Sequence, residues 1–442
     1  MIIFIKKKLF FIVAGLILSV VFFTVTRIYS FGQISLPERV IEVSRFGGET
    51  KILSKEDFEP LNILEKISEG IELLENSSPL KTEQYVSDNI CFKTKKNYRA
   101  LRKEISFAIL DKKTGEVFEK RCWFSKEDAI ENTIISSGLS QVENIFGLKN
   151  EEQEINEELA LAVNWWNNHN SDIEVRSLNP EDKPGGYIMI ANKFPMLNQY
   201  LAYPQDKTGK KYSDIVYIPY SGALHIPELI EEGRRFLNQS VDRAFTELSA
   251  AKIESVAYPG RLVVDTIKPD FIKNIFLTEQ TDTSLLLSAG DGGLKLAERV
   301  LVRLGANKEK AYRYTYSSTG ALGLGQIMPA TYASIVRLYS KAQLIKDVNI
   351  GRVDIVNGIK ATVLVFDDHF ATVIEKLSKT ASGRAALSRK KPEEIEEMRA
   401  AVYNGGPGKI SSQTAAISSA VAETVGFVAK FRRIRALNLF VD

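Results

Sequence analysis

Histidine and cysteine are scarce in this sequence: there are three of the first and two of the second in 442 residues. His169, His225 and His369 show no paired spacing, which argues against a zinc centre for catalysis. Cys91 and Cys122 make no metal motif either, and two readings of them stand side by side. They flank the strands of an expected hairpin, Ile105–Leu110 and Val117–Phe124, so one disulfide could join them in an exported compartment. Two buried free thiols are the other reading. Charge of one sign is also missing. The 58 basic and 55 acidic residues leave a net charge of +3, too little to argue for nucleic acid as a partner. Internal repeats and long low-complexity tracts are absent.

The N-terminus carries the longest apolar run. Lys6, Lys7 and Lys8 precede Leu9 to Thr26, and Arg27 closes the run. Eighteen residues are close to the minimum that spans a bilayer. The following Phe23-Thr-Val-Thr-Arg-Ile-Tyr-Ser30 offers no clear small-x-small cleavage site. The expectation for residues 1–30 is an uncleaved membrane anchor, with cleavage as the alternative. The lysines would stay in the cytoplasm and the rest of the chain would face outward.

Residues 31–250 read as an α+β domain with no motif of known chemistry and a possible role in binding cell-envelope partners. Residues 31–53 are expected to form an extended stalk. A helical period runs from Leu61 to Leu74 and stops at Asn76-Ser-Ser-Pro79. Helices are expected near 126–137 and 151–168, the second opening on Glu151, Glu152 and Glu154. Trp165 and Trp166 would lie on it as packing anchors, or less simply as sugar platforms. Short strands are expected at Tyr187–Ala191 and Ile215–Ile218, and a long helix from Ile226 to Leu248, introduced by Pro227. From Pro269 the pattern is helical almost throughout and is punctuated by glycine clusters, so residues 251–442 form the third domain.

Within that domain Asp270-Phe-Ile-Lys-Asn-Ile-Phe-Leu-Thr-Glu-Gln280 has a distinctive arrangement. Glu279 follows Ile272 by seven residues, Ile275 by four and Phe276 by three, which puts the carboxyl on the apolar stripe of a helix. It also stands near the C-terminal end, where the helix dipole disfavours a negative charge. Desolvation acts in the same direction, so both raise the pKa. A carboxyl that stays protonated near neutrality is what a general acid requires. Glu309 and Glu298 are the alternatives. Glu309 lies between Lys308 and Lys310, neighbours that lower a carboxyl pKa, and Glu298 stands beside Arg299, which suggests a surface ion pair.

Two further blocks follow: Tyr316-Ser-Ser-Thr-Gly-Ala-Leu-Gly-Leu-Gly-Gln-Ile-Met-Pro-Ala-Thr331 and Tyr403-Asn-Gly-Gly-Pro-Gly408. Their order and residues resemble the two signature blocks of the lytic transglycosylase (goose-type lysozyme-like) family, over roughly residues 255–435. Glycines at 320, 323 and 325 let backbone approach a ligand, and the Gln326 amide can both donate to and accept from sugar hydroxyls. Neither glycine block has the spacing of a nucleotide-binding loop.

The resemblance implies a fold class that is mainly α: an all-α lysozyme-like domain, preceded by the α+β domain and the transmembrane helix. It implies Glu279 as the single catalytic carboxyl, with Ser317, Gly320, Gln326, Tyr403 and Asn404 as substrate-binding residues. The substrate would be the peptidoglycan glycan strand, cleaved between N-acetylmuramic acid and N-acetylglucosamine with a 1,6-anhydro product. No metal or cofactor is implied. A hydrolytic muramidase and a non-catalytic glycan-binding envelope protein are the alternatives. The chain departs from the family pattern at five points, one of them Phe427 where the family often has Tyr. Gln280 replaces Ser, Gly325 replaces Met, Gly405 replaces Ala, and 320 − 279 = 41 positions separate Glu279 from Gly320. That last departure implies an inserted helix, near Leu294–Leu304, that loops out.

Overall fold

The computed structural model describes residues 62–87, 98–124, 159–165, 172–177, 185–195, 214–315, 317, 319–418 and 422–440. Ile52–Asp442 forms one compact unit. The expected anchor (1–30), stalk (31–53), helix near 126–137 and Cys91 lie outside the described residues.

The chain enters through α1, Ile63–Asn76, whose Asn62 side chain accepts from the Glu65 amide at its start. Strands follow: β1 (Thr82–Ser87), β2 (Tyr98–Asp111) and β3 (Val117–Phe124), then the separate hairpin β4 (Leu159–Trp165) with β5 (Asp172–Ser177), then β6 (Tyr187–Pro195) and β7 (Asp214–Tyr217). β2 is the hub of a five-stranded antiparallel sheet and pairs with β1, β3 and β6, while β7 pairs with β6. Its side chains alternate between two apolar layers. Ala108 and Leu110 join Ile188, Ile190 and Leu74 of α1 on one face. Phe107 and Ile109 join Met189 and Val175 on the other.

The C-terminal part is helical: α2 (Pro227–Ala250), α3 (Pro269–Glu279), α4 (Thr283–Ser288), α5 (Leu294–Asn307), α6 (Pro329–Leu338), α7 (Val348–Val353), α8 (Ile355–Ser378), α9 (Ala381–Ser388), α10 (Pro392–Gly405) and α11 (Ala422–Ala436). The largest core gathers side chains from α2, α3, α5, α6, α8 and α11, among them Val241, Ile275, Leu301, Ile335, Val363 and Phe431.

The expected fold class needs correcting. Among the described residues no helix is long and apolar enough to cross a membrane, so the transmembrane helix is withdrawn from the class. The helices are also not a free-standing all-α body on an α+β neighbour. Leu229 of α2 and Val302 of α5 belong to the core of the sheet, while other residues of the same two helices belong to the helical core. Asn307 at the end of α5 accepts from the Ile218 amide at 2.8 Å and donates to the Ile218 carbonyl at 2.9 Å, and so joins the sheet side to the helices.

Two local expectations also fail. The stretch 159–165, expected as helix, is strand β4 and pairs antiparallel with β5. Its β-branched and aromatic residues fit a pleated surface, and Trp165 is strand-borne. The helix expected to loop out is α5, which is packed on both sides. It crosses α2 with backbone in direct contact, because a Cβ on Gly233 would lie 1.9 Å from the Leu301 carbonyl oxygen and one on Gly305 2.2 Å from that of Leu229. Cys122, on β3, is a free thiol.

Candidate active site

α3 begins at Pro269, whose missing amide hydrogen costs nothing in a first turn, and buries Phe271, Ile272, Ile275 and Phe276. Asp282 ends its continuation by capping α4, accepting from the Leu285 amide at 2.9 Å. Glu279 is the last residue of α3. It is half-buried, and among the described residues no side chain or amide gives its carboxyl a hydrogen bond or an ion pair. Burial pushes its pKa up to about 7, opposed by the Lys430 ammonium and assisted by the Glu423 carboxylate.

The glycine loop lies directly beside the end of α3. The Gln280 side-chain amide donates to the carbonyls of Leu324, at 2.7 Å, and Gly323, at 3.2 Å. Gln280 thus fastens helix to loop, work that a shorter serine in its place could not reach far enough to do. Gly325 stands where a Cβ would lie 2.5 Å from Thr362 Oγ1, 3.3 Å from the Tyr403 hydroxyl and 3.4 Å from the Phe276 ring. The methionine of the family pattern has no room there. Gly320 and Gly323 both take positive φ, at 91° and 74°.

Tyr403, on α10, stacks on Phe366 with centroids 4.5 Å apart and donates its hydroxyl hydrogen to the Gly325 carbonyl. Burial and the negative charge of Glu279 hold its pKa above the ordinary tyrosine value. Glu279, the glycine loop and Tyr403 therefore meet at one place.

The other predicted residues have different duties. The Ser317 hydroxyl accepts from the Ala321 amide at 2.9 Å and closes the loop on itself. Gly320 offers its carbonyl to Arg352 at 2.7 Å. The Gln326 amide nitrogen donates inward, to the Gly323 carbonyl at 2.7 Å, so its NH₂ group is spent inside the loop. That leaves the carbonyl oxygen, which bonds to no described residue. Asn404 is half-buried beside Tyr403. The turn at Gly406–Gly408 leads into a bridge between Ile410 and Ile417 before the last helix begins.

The two alternative acids lie elsewhere. Glu309 is exposed in a single 3-10 turn. Glu298 bonds to His225 Nε2 at 3.0 Å, and His225 Nδ1 in turn meets the Tyr220 hydroxyl at 3.0 Å. Among the described residues no cluster of three or more His, Cys, Asp or Glu side chains could hold a metal ion.

Sequence reasoning missed two cations. Arg352 of α7 gathers the carbonyls of Gly320 and Ile327, at 2.7 and 2.9 Å, and so pins both ends of the glycine loop. Lys430 of α11 is 4% exposed and donates to the Thr281 carbonyl at 2.6 Å, two residues beyond Glu279. Neither lies in a recognisable motif. The only sequence signal is a basic residue at a core-facing helical position, visible for Lys430 from its spacing to Phe427 and Phe431. No protein-family model matches this chain, and no curated protein or solved structure matches it.

Proposed function

We propose that this protein is a lytic transglycosylase acting on the glycan strands of peptidoglycan, a substrate found outside the cytoplasmic membrane. The observation that carries the reading is the Glu279 carboxyl: half-buried, without a hydrogen-bond partner among the described residues, and placed where the glycine loop and Tyr403 converge. A carboxyl with a pKa near 7 holds its proton over a useful part of the neutral range.

In the reaction, protonated Glu279 gives its hydrogen to the glycosidic oxygen as the bond from that oxygen to the muramyl anomeric carbon breaks. The electron pair leaves with the N-acetylglucosamine oxygen, which becomes a free 4-hydroxyl. The muramyl 6-hydroxyl oxygen then bonds to the anomeric carbon, and its proton returns to Glu279. The carboxyl ends as it began and no water is consumed. A single carboxyl suffices because the internal hydroxyl takes the place of the nucleophile or activated water used by other glycosidases. Tyr403 and Gln280 hold the loop against α3, and the free carbonyl oxygen of Gln326 is available to accept from a sugar hydroxyl.

Digestion of purified sacculi, read by mass spectrometry, tests the reading. Wild type should release fragments ending in 1,6-anhydro-muramic acid, and Glu279→Gln should release none. Reducing ends heavier by one water would mean a hydrolytic muramidase. Sacculus binding with no fragments from wild type would mean a non-catalytic glycan binder.

A further inference from the structure

The buried Lys430 ammonium, tethered just beyond Glu279, has a place in the chemistry. We propose that Lys430 is a positioning residue of this site: its ammonium, tethered to the Thr281 carbonyl, supplies the positive charge that offsets Glu279 each time the carboxyl has released its proton. The proposal rests on the reading of Glu279 as the acid.

Three observations support it. First, Lys430 is 4% exposed, although lysine is rarely buried unless its charge is answered. Second, its one hydrogen bond to a described residue, to Thr281 O at 2.6 Å, uses only one of its three donors. The Phe427 ring, 5.5 Å from Nζ, adds a weak attraction. A single carbonyl and a ring face are little compensation for a buried ammonium. Third, the anchoring carbonyl belongs to the turn that leaves α3, two residues beyond Glu279, so α11 brings the ammonium to the end of α3 that carries the carboxyl. The two charges do not pair directly, since no Lys430–Glu279 ion pair falls within 4 Å. A direct pair would stabilise the carboxylate strongly and spoil the acid, whereas a charge set further back moderates it.

The remaining charged groups facing the two residues are few. Glu423, exposed at the start of α11, opposes ionisation of Glu279. Tyr403 from α10 is neutral, and the Thr362 hydroxyl from α8 carries no charge. On the other side, Asp282 before α4 favours the charged form of Lys430, while burial disfavours it. Without Lys430, burial and Glu423 would act on Glu279 unopposed. The carboxyl would keep its proton to higher pH and would release it to the leaving oxygen less readily.

The test uses the full chain with 13C-labelled glutamate carboxyls, the Glu279 resonance being assigned by its loss in Glu279→Gln. In Lys430→Met the Glu279 midpoint should rise by about one pH unit, a tenfold gain in proton affinity. The alkaline limb of sacculus digestion should rise with it, while the rate at low pH falls. Lys430→Arg should restore the wild-type midpoint. An unchanged or lower midpoint in folded Lys430→Met overturns the proposal. If wild type digests no sacculi, the lytic reading fails, yet the midpoint comparison still decides whether Lys430 acts on Glu279. If Lys430→Met does not fold, Glu279→Gln probes the pair from the other side. The Lys430 ammonium should then titrate at lower pH than in wild type, and an unshifted titration overturns the coupling.

Discussion

Two carboxyl groups of the helical part, Asp367 and Glu279, are provided for in opposite ways. Asp367 of α8 is fully buried and accepts three hydrogen bonds: from the Ser255 hydroxyl at 2.5 Å, the Val256 amide at 2.6 Å and the Tyr339 hydroxyl at 2.8 Å. Glu279 of α3 is half-buried and accepts none from any described residue. The first arrangement holds a loop and two helices together, since each donor spent on a carboxylate stabilises its charged form. The second gives the charged form no such support. A carboxyl kept in poor surroundings without partners is a cost, and the cost makes sense where the proton is to be used.

The contrast can be broken in a definite order. The largest effect should follow Glu279→Gln, which removes the proposed acid and keeps the shape. Sacculus digestion should fall on the order of 10²–10⁴-fold, with no loss of melting temperature at pH 8. Next comes Asp367→Ala, which leaves three buried donors without their acceptor. Chemical denaturation should show a loss of about 3–5 kcal/mol. Smaller is the pH dependence of stability that Glu279 imposes. Its folded pKa of about 7 lies above the ordinary 4.5, so the folded chain binds this proton more tightly than the unfolded chain does. Stability from this group should therefore decline as pH rises from 4.5, with the loss complete above about 7 and amounting to ~1–3 kcal/mol. Comparison of wild type with Glu279→Gln across that window isolates it, since the variant lacks the slope. The smallest effect belongs to Glu309→Gln. That side chain is exposed, and its loss should change stability by no more than about 0.5 kcal/mol and leave digestion unaltered.

The same contrast explains what could be read in advance. The position of Glu279 was legible because period and chain direction fix it: a proline start, three apolar residues at helical offsets, and a carboxyl in the last turn. The long helix α2 and the strands β2, β3, β6 and β7 announce themselves through pattern in the same way. Asp367 was not legible, because its donors come from Ser255 and Tyr339, which are 112 and 28 residues away in the chain. Lys430 was hidden for the same reason, since only the approach of α11 to the end of α3 gives it meaning. The strand β4 was misread because Leu-Ala-Leu-Ala-Val suits either a helix or a pleated edge, and pairing with β5 decides between them. The spacing between Glu279 and the glycine loop implied an excursion from the core. The interval is instead filled by α5, which joins the sheet to the helices through Leu301 on one side and Val302 on the other. Gln280 was visible as a departure from the family pattern, but its role required the carbonyls of Gly323 and Leu324 to be at hand.

The most direct trial of the account is a site-resolved titration of the Glu279 carboxyl in the intact wild-type chain. A midpoint close to 7 is predicted, with the proton still held where ordinary glutamates are fully ionised. A midpoint at the ordinary 4.5 would mean that the carboxyl is solvated or paired, and Glu279 could not be the acid.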